Sequence, residues 1–175
     1  MSGKSILVIG GAASGKSEYA EDLVCGFGPE RLYLASAEAH DTEMERKIAL
    51  HRERRGSGWQ VVEAPLDLAP ALGGDLPVLF DCATMWLSNH LFADRDLARA
   101  QADLLAALAS HPAPVVTVTN EVGQGIVPAD PLTRRFREAQ GRLNIALARQ
   151  ADCVVQVVAG LPNVLKGADL LKTRP

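Results

Sequence analysis

Five stretches of the chain are predominantly apolar runs too short to be helices: residues 6–9, 32–35, 77–80, 115–119 and 154–158. Such runs, rich in Val, Ile and Leu, predict strands covered on both faces, as in a parallel sheet. A sixth stretch, Trp59-Gln60-Val61-Val62-Glu63, alternates and predicts a strand with one wetter face. Helical spacing fills the gaps between them. Tyr19, Ala20, Leu23 and Val24 mark a helix over 17–25, stopped by Gly26 and Gly28-Pro29. Met85, Trp86, Leu87, Leu91 and Phe92 mark the core side of a helix over 84–92. A Leu- and Ala-rich helix is predicted over 94–109, and a long one over 131–150 with Leu132, Phe136, Leu143 and Leu147 inward. Residues 66–72 read as a short helix ended by Gly73-Gly74, and Gly160, Pro162 and Gly167 predict a loosened tail. Strands alternating with helices predict a three-layer α/β fold around a mostly parallel sheet. With no repeat or linker in its 175 residues, the chain is expected to be one nucleotide-binding domain, 1–175.

One segment breaks the pattern. Residues 38–55 are densely charged, and Asp41-Thr42-x-x-Glu45 predicts a helix start with a capping box on Thr42. Met44, Ile48 and His51 fall on one face of that helix, with Arg46, Lys47, Arg52, Arg54 and Arg55 around it. Gly56, Ser57 and Gly58 end it.

Composition narrows the class. A net charge of −3 gives no basic field for nucleic acid. No apolar run is long enough to span a bilayer, and the N-terminus enters the first strand without a leader pattern. Cys25, Cys82 and Cys153 lack metal-binding spacing and read as reduced core thiols, which predicts a cytoplasmic protein.

The chemistry starts where the first strand ends. Gly10-Gly11-Ala12-Ala13-Ser14-Gly15-Lys16-Ser17 fits the phosphate-loop pattern, with an apolar strand before it and a helix after it. Small residues let backbone N–H groups turn inward toward an anion, and the helix N-terminus adds partial positive charge. Lys16 reaches the outer phosphates and Ser17 can ligate Mg²⁺. The acidic partner of such a loop comes from another strand tip. Asp81 ends its strand directly and is favoured over Glu121, which lies two residues beyond Thr119. His51 stands among arginines suited to a polyphosphate, so a neutral imidazole there could attack an α-phosphate. His40, His90 and His111 lack that setting.

The whole chain resembles the bifunctional adenosylcobinamide kinase / adenosylcobinamide-phosphate guanylyltransferase family of cobalamin biosynthesis. The likeness rests on the phosphate loop, Leu32-Tyr33-Leu34-Ala35-Ser36, Asp41-x-Glu43-Met44, Ile48-x-x-His51-Arg52, Trp59-x-x-x-Glu63 and Asp81-Cys82-x-Thr84-x-Trp86-Leu87-x-Asn89. Its narrowest part is Thr119-Asn120-Glu121-Val122-Gly123-x-Gly125-Ile126-Val127-Pro128, continued by Arg135-Phe136-Arg137 and Gly141-Arg142-x-Asn144. The resemblance implies a RecA-like P-loop NTPase fold and two reactions. Adenosylcobinamide is phosphorylated with ATP or GTP, and GMP then passes from GTP through a histidine to give adenosylcobinamide-GDP. By motif, His51 is that histidine and Lys16 the second catalytic residue. Nucleotide contacts fall on Gly10, Gly11, Ala12, Ala13, Ser14, Gly15, Lys16, Ser17, Ala35, Ser36, Ala37, Arg52, Glu53, Arg54, Glu63 and Asp81, with Ser17 and Asp81 on Mg²⁺. A homo-oligomer is implied, with a trimer as the form that relatives resemble. The chain departs from some members at Ala13, where they carry a basic residue, and at Leu50-His51, where they carry two histidines. A single-activity small-molecule kinase and a GTP-binding regulatory switch are the alternative readings.

Overall fold

The computed structural model describes residues 3–37 and 57–172. The predicted helix of the charged segment, with His40 and His51, lies outside them. The apolar runs assemble into a single sheet of seven strands: β1 Ser5–Gly10, β2 Arg31–Ala35, β3 Trp59–Glu63, β4 Val78–Asp81, β5 Val115–Asn120, β6 Cys153–Val158 and β7 Leu161–Lys166. Their spatial order is β3-β2-β4-β5-β1-β6-β7, and every pairing is parallel except β6 with β7.

Because side chains alternate across a strand, neighbouring residues of β1 serve different cores. Leu7 faces one side, where it joins Leu34, Phe80 and Val154 against three helices: α2 Ala83–Phe92, α3 Leu97–Ser110 and α4 Pro131–Gln150. Ile6 and Val8 face the other, packed with Tyr33, Leu79 and Val116 against α1 Lys16–Cys25 and the short α5 Asp169–Lys172. This is the three-layer α/β P-loop architecture predicted from the alternating pattern. No described helix is long and apolar enough to cross a membrane.

Several details differ from expectation. The region after β6 is not a loosened tail. Ala159 and Gly160, both at positive φ, turn the chain back so that β7 pairs antiparallel with β6. Two left-handed residues between Val158 and Leu161 form the tight hairpin turn that matches strand twist. The Leu- and Ala-rich helix starts at Leu97 rather than 94, because Asp94 is left-handed and the Asp96 carboxylate caps the N–H groups of Ala98 and Arg99. Residues 66–72 supply only the single 3-10 turn Ala69–Leu72. Phe92, at the last position of α2, is 77% exposed and not core; Leu132, in the first turn of α4, is 45% exposed. Cys25 is exposed, whereas Cys82 and Cys153 are buried.

One polar cluster is buried where β5 meets α2 and α4. Thr84 Oγ1 accepts from the Asn120 N–H at 2.8 Å. Thr119 Oγ1 donates to Asn144 Oδ1 at 2.7 Å and accepts from Gln140 Nε2 at 2.9 Å. Asn144 Nδ2 donates to the Asn120 carbonyl at 3.1 Å. Asn144 is therefore the centre of the cluster, and truncating it orphans groups that water cannot reach. Asn144→Ala is expected to lower unfolding free energy by roughly 3 kcal/mol, the cost of one to two unsatisfied buried groups, read from urea unfolding at constant m.

Candidate nucleotide site

The loop from Gly10 to Ser17 leaves the carboxyl end of β1 and runs into α1, with Gly15 at φ +87° in the N-cap position. It is braced from both sides of β1. On the β5 side, the Glu121 N–H donates to the Gly10 carbonyl at 3.0 Å. On the β6 side, the Gly160 N–H in the β6–β7 turn donates to the Ser14 carbonyl at 2.8 Å. Gly10 has no room for a side chain: a Cβ there would lie 2.4 Å from Ser14 Oγ and 2.7 Å from the Val157 carbonyl. Gly15 packs against Gly160, with 3.2 Å to its Cα for an added Cβ. Ser14 Oγ is buried and finds no partner among the described residues.

Lys16 folds back over this loop, Nζ donating to the Gly11 carbonyl at 3.0 Å. Burial holds its ammonium below the usual lysine range, while Cys82 and Asp81 push in the opposite direction. Lys16 therefore lies in the field of the β4 tip. Asp81 is half-buried there, its carboxylate accepting from Tyr33 Oη at 3.2 Å. Glu121 is engaged differently: its carboxylate accepts from the Gly123 N–H at 2.8 Å, within its own loop.

Sheet register collects the remaining described positions. Ala35 pairs with Glu63 on one side and Asp81 on the other, so the three ends of β3, β2 and β4 lie level. Ala35, Glu63 and Asp81 thus share the carboxyl edge of the sheet with the loop, the edge at which parallel α/β sheets bind ligands. Ser36 follows Ala35 and is fully buried, with Ala37 half-buried beyond it. His51, Arg52, Glu53 and Arg54 lie outside the described residues.

Two features escaped the sequence. Cys82, which reads as a plain core thiol, caps α2 by accepting from the Met85 N–H at 3.5 Å, beside both Asp81 and Lys16. Burial, then the Asp81 charge, push its thiol up to about 12, so it stays protonated and un-nucleophilic at neutral pH. The bracing by Gly160 depends on a hairpin that lacks the Asn-Gly or Asp-Gly signal.

Metal chemistry fits this edge. Ser17 and Asp81 offer hard oxygen donors of the kind Mg²⁺ takes alongside substrate phosphates. Among the described residues no group of three or more His, Cys, Asp or Glu side chains converges into a site able to hold a metal by itself.

A family model described as "Cobinamide kinase / cobinamide phosphate guanyltransferase" matches residues 6–165. The chain belongs to that family. It is 42% identical to the bifunctional adenosylcobalamin biosynthesis protein CobP of Pseudomonas aeruginosa, over 94% of this chain and 98% of that one. It is 41% identical to the bifunctional adenosylcobalamin biosynthesis proteins CobU of Salmonella typhimurium and of Escherichia coli K12, over 89% of this chain and 96% of each of those. Among solved structures it is similar to the KaiC-like protein PH0186 of Pyrococcus horikoshii, with a TM-score of 0.48 and 12% identity over 89% of this chain and 71% of that one. The matched span takes in the phosphate loop, the β4 tip and the Asn120–Pro128 loop of this family member.

Two outcomes follow from the geometry. Gly10→Ala must displace either the Val157 backbone or the loop itself, so GTP affinity is expected to fall about tenfold or more, ~1.4 kcal/mol, by fluorescence titration. In thiol counting with a disulfide reagent at pH 8, Cys25 reacts in the native protein, and Cys82 and Cys153 react only after denaturation.

Proposed function

We propose that this chain carries both activities in its family's description. It phosphorylates the aminopropanol hydroxyl of adenosylcobinamide with ATP or GTP, then transfers GMP from GTP to that phosphate. The observation that supports this most is the family match over residues 6–165, borne by a phosphate loop whose lysine lies in the field of the Asp81 carboxylate.

The two reactions divide along the triphosphate. In the first, the substrate hydroxyl bonds to the γ-phosphorus as the bond to the β–γ bridging oxygen breaks. In the second, an imidazole nitrogen of His51 bonds to the α-phosphorus and pyrophosphate leaves. The phosphate oxygen of the corrinoid then displaces the imidazole, and adenosylcobinamide-GDP is formed. Both steps put negative charge in flight, which aligned loop N–H groups and Lys16 stabilise. Ser17 and Asp81 would hold Mg²⁺, which would neutralise charge on the phosphate oxygens. Ala35 and Ala37, with Arg52, Glu53, Arg54 and Glu63, border the nucleotide. Asp81 takes the metal role in preference to Glu121 because Asp81 is the carboxylate in the field of Lys16, while Glu121 holds its own loop.

The protein works in the cytoplasm as a homo-oligomer, with a trimer as the expected form. Exposed apolar side chains support an assembly: Ile126 at 96% and Val127 at 67% in the loop after β5, and Leu161 at 72% and Leu165 at 58% on β7.

Incubation with α-labelled GTP and Mg²⁺ tests the nucleotidyl step. The wild type should retain label that is lost in acid, as a P–N bond is. His51→Ala should lose the label and slow guanylyl transfer by roughly 10³-fold or more, the scale of removing a covalent nucleophile, while phosphorylation of adenosylcobinamide remains measurable. Guanylyl transfer at full rate in that variant rules out the histidine route. Phosphorylation with no label in the wild type favours the single-activity kinase.

A further inference from the structure

The hydrogen-bonded ladder between β2 and β4 ends at Ala35 and Asp81. Beyond it, the chain must turn from strand into α2 with its backbone buried, and buried N–H and C=O groups need partners. Ser36 supplies them. Its N–H donates to the Asp81 carbonyl at 3.3 Å. Its hydroxyl donates to the Cys82 carbonyl at 2.7 Å and accepts from the Cys82 N–H at 2.9 Å. Its own carbonyl accepts from Asn89 Nδ2 at 2.7 Å, and that same amide group donates to the Pro65 carbonyl at 3.0 Å.

Every polar group of Ser36 is therefore committed, and its relative exposure is 0%. A hydroxyl that both gives to and takes from one residue acts as an extra ladder rung. It clamps the backbone on either side of the Cys82 α-carbon, immediately after Asp81, whose charge acts on Lys16 of the phosphate loop. A nucleotide could reach that hydroxyl only by breaking two buried hydrogen bonds. We infer that Ser36 is a positioning residue: it fixes the backbone that carries Asp81 and so aims the carboxylate at the cation accompanying the nucleotide, without itself touching the nucleotide. This rests on the reading of Asp81 as the metal-side carboxylate. It departs from a nucleotide contact through the Ser36 side chain, which the family resemblance implies.

The test measures binding, not turnover. A fluorescent GTP analogue is titrated in EDTA and then at a series of Mg²⁺ concentrations, with wild type, Ser36→Ala, Ser36→Thr and Asp81→Asn. Ser36→Ala should raise the Mg²⁺ concentration for half-maximal binding about tenfold, the usual scale for losing a residue that orients a metal ligand. Its affinity in EDTA should stay close to wild type. Ser36→Thr, which keeps the hydroxyl, should restore the native Mg²⁺ requirement. Asp81→Asn should raise that requirement at least as far as Ser36→Ala does.

A Ser36→Ala variant weakened equally in EDTA and in Mg²⁺ overturns the inference, because the side chain would then contact nucleotide. An unchanged Mg²⁺ requirement in Ser36→Ala alongside a raised one in Asp81→Asn also overturns it, leaving Asp81 in its role. An unchanged requirement in Asp81→Asn removes the role of Asp81 first, and the inference with it. Should Ser36→Ala fail to fold, Ser36→Cys keeps the shape and weakens both bonds. A raised Mg²⁺ requirement there supports the inference, and a native one overturns it.

Discussion

A phosphate loop is a row of backbone N–H groups turned toward an empty concavity, and nothing within the loop keeps it open. In this protein the two strands that flank β1 do so. The chain leaving β5 donates the Glu121 N–H to Gly10, and the turn leaving β6 donates the Gly160 N–H to Ser14. Each bond alone contributes about 1 kcal/mol. Together they fix both ends of the curve, so the loop need not be ordered when an anion binds. Lowering that cost is how a preformed site gains affinity. The glycines make the bracing sterically feasible. Gly10 lets the Ser14 side chain and the Val157 carbonyl close in, and Gly15 lets the turn at Gly160 approach.

That dependence explains why the sheet extends past β6. β7 is an exposed edge strand with little core of its own. Its contribution is the tight turn that places Gly160 against the loop. Opposite, the cluster around Thr84, Thr119, Gln140 and Asn144 holds the Asn120 backbone and hence the start of the Glu121 segment. The loop is therefore coupled to α2 and α4 through hydrogen bonds rather than through apolar contact. This is the kind of specification a buried polar network can give when nearly all its members are satisfied.

Sequence pattern was a good guide to what is periodic and a poor one to what is local. The five apolar runs and the alternating 59–63 all became strands, and the helix over 131–150 appears with those bounds, because burial on two faces or along one stripe leaves a signature. The phosphate loop and Asp81 were legible for a different reason: their chemistry fixes residue type and spacing. The β6–β7 hairpin was not, since Ala159-Gly160 lacks the usual turn residues. Phe92 and Leu132 misled because apolar residues in terminal helical turns can face outward. Thr84, Asn89, Thr119 and Asn144 all lie within the motifs that carry the family likeness. The side chains of Thr84, Asn89 and Asn144 are spent on holding backbone and that of Thr119 on holding Asn144, and only the structure separates that work from contact with a substrate.

Two transfers at one cradle impose a geometric demand that the described half of the site already reflects. The loop grips a triphosphate through donors that are fixed in space, so the α- and γ-phosphorus atoms cannot both be brought to one nucleophile. The attacking groups must approach from different directions while the cradle stays still. A loop braced on two sides and backed by Lys16, whose ammonium donates to the Gly11 carbonyl, suits the constant part of that arrangement. The variable part has to come from elsewhere in the chain. The charged segment between β2 and β3 leaves the sheet from the edge that carries Ala35, Glu63 and Asp81, and the chain re-enters it at Trp59, level with Arg31 at the opposite edge.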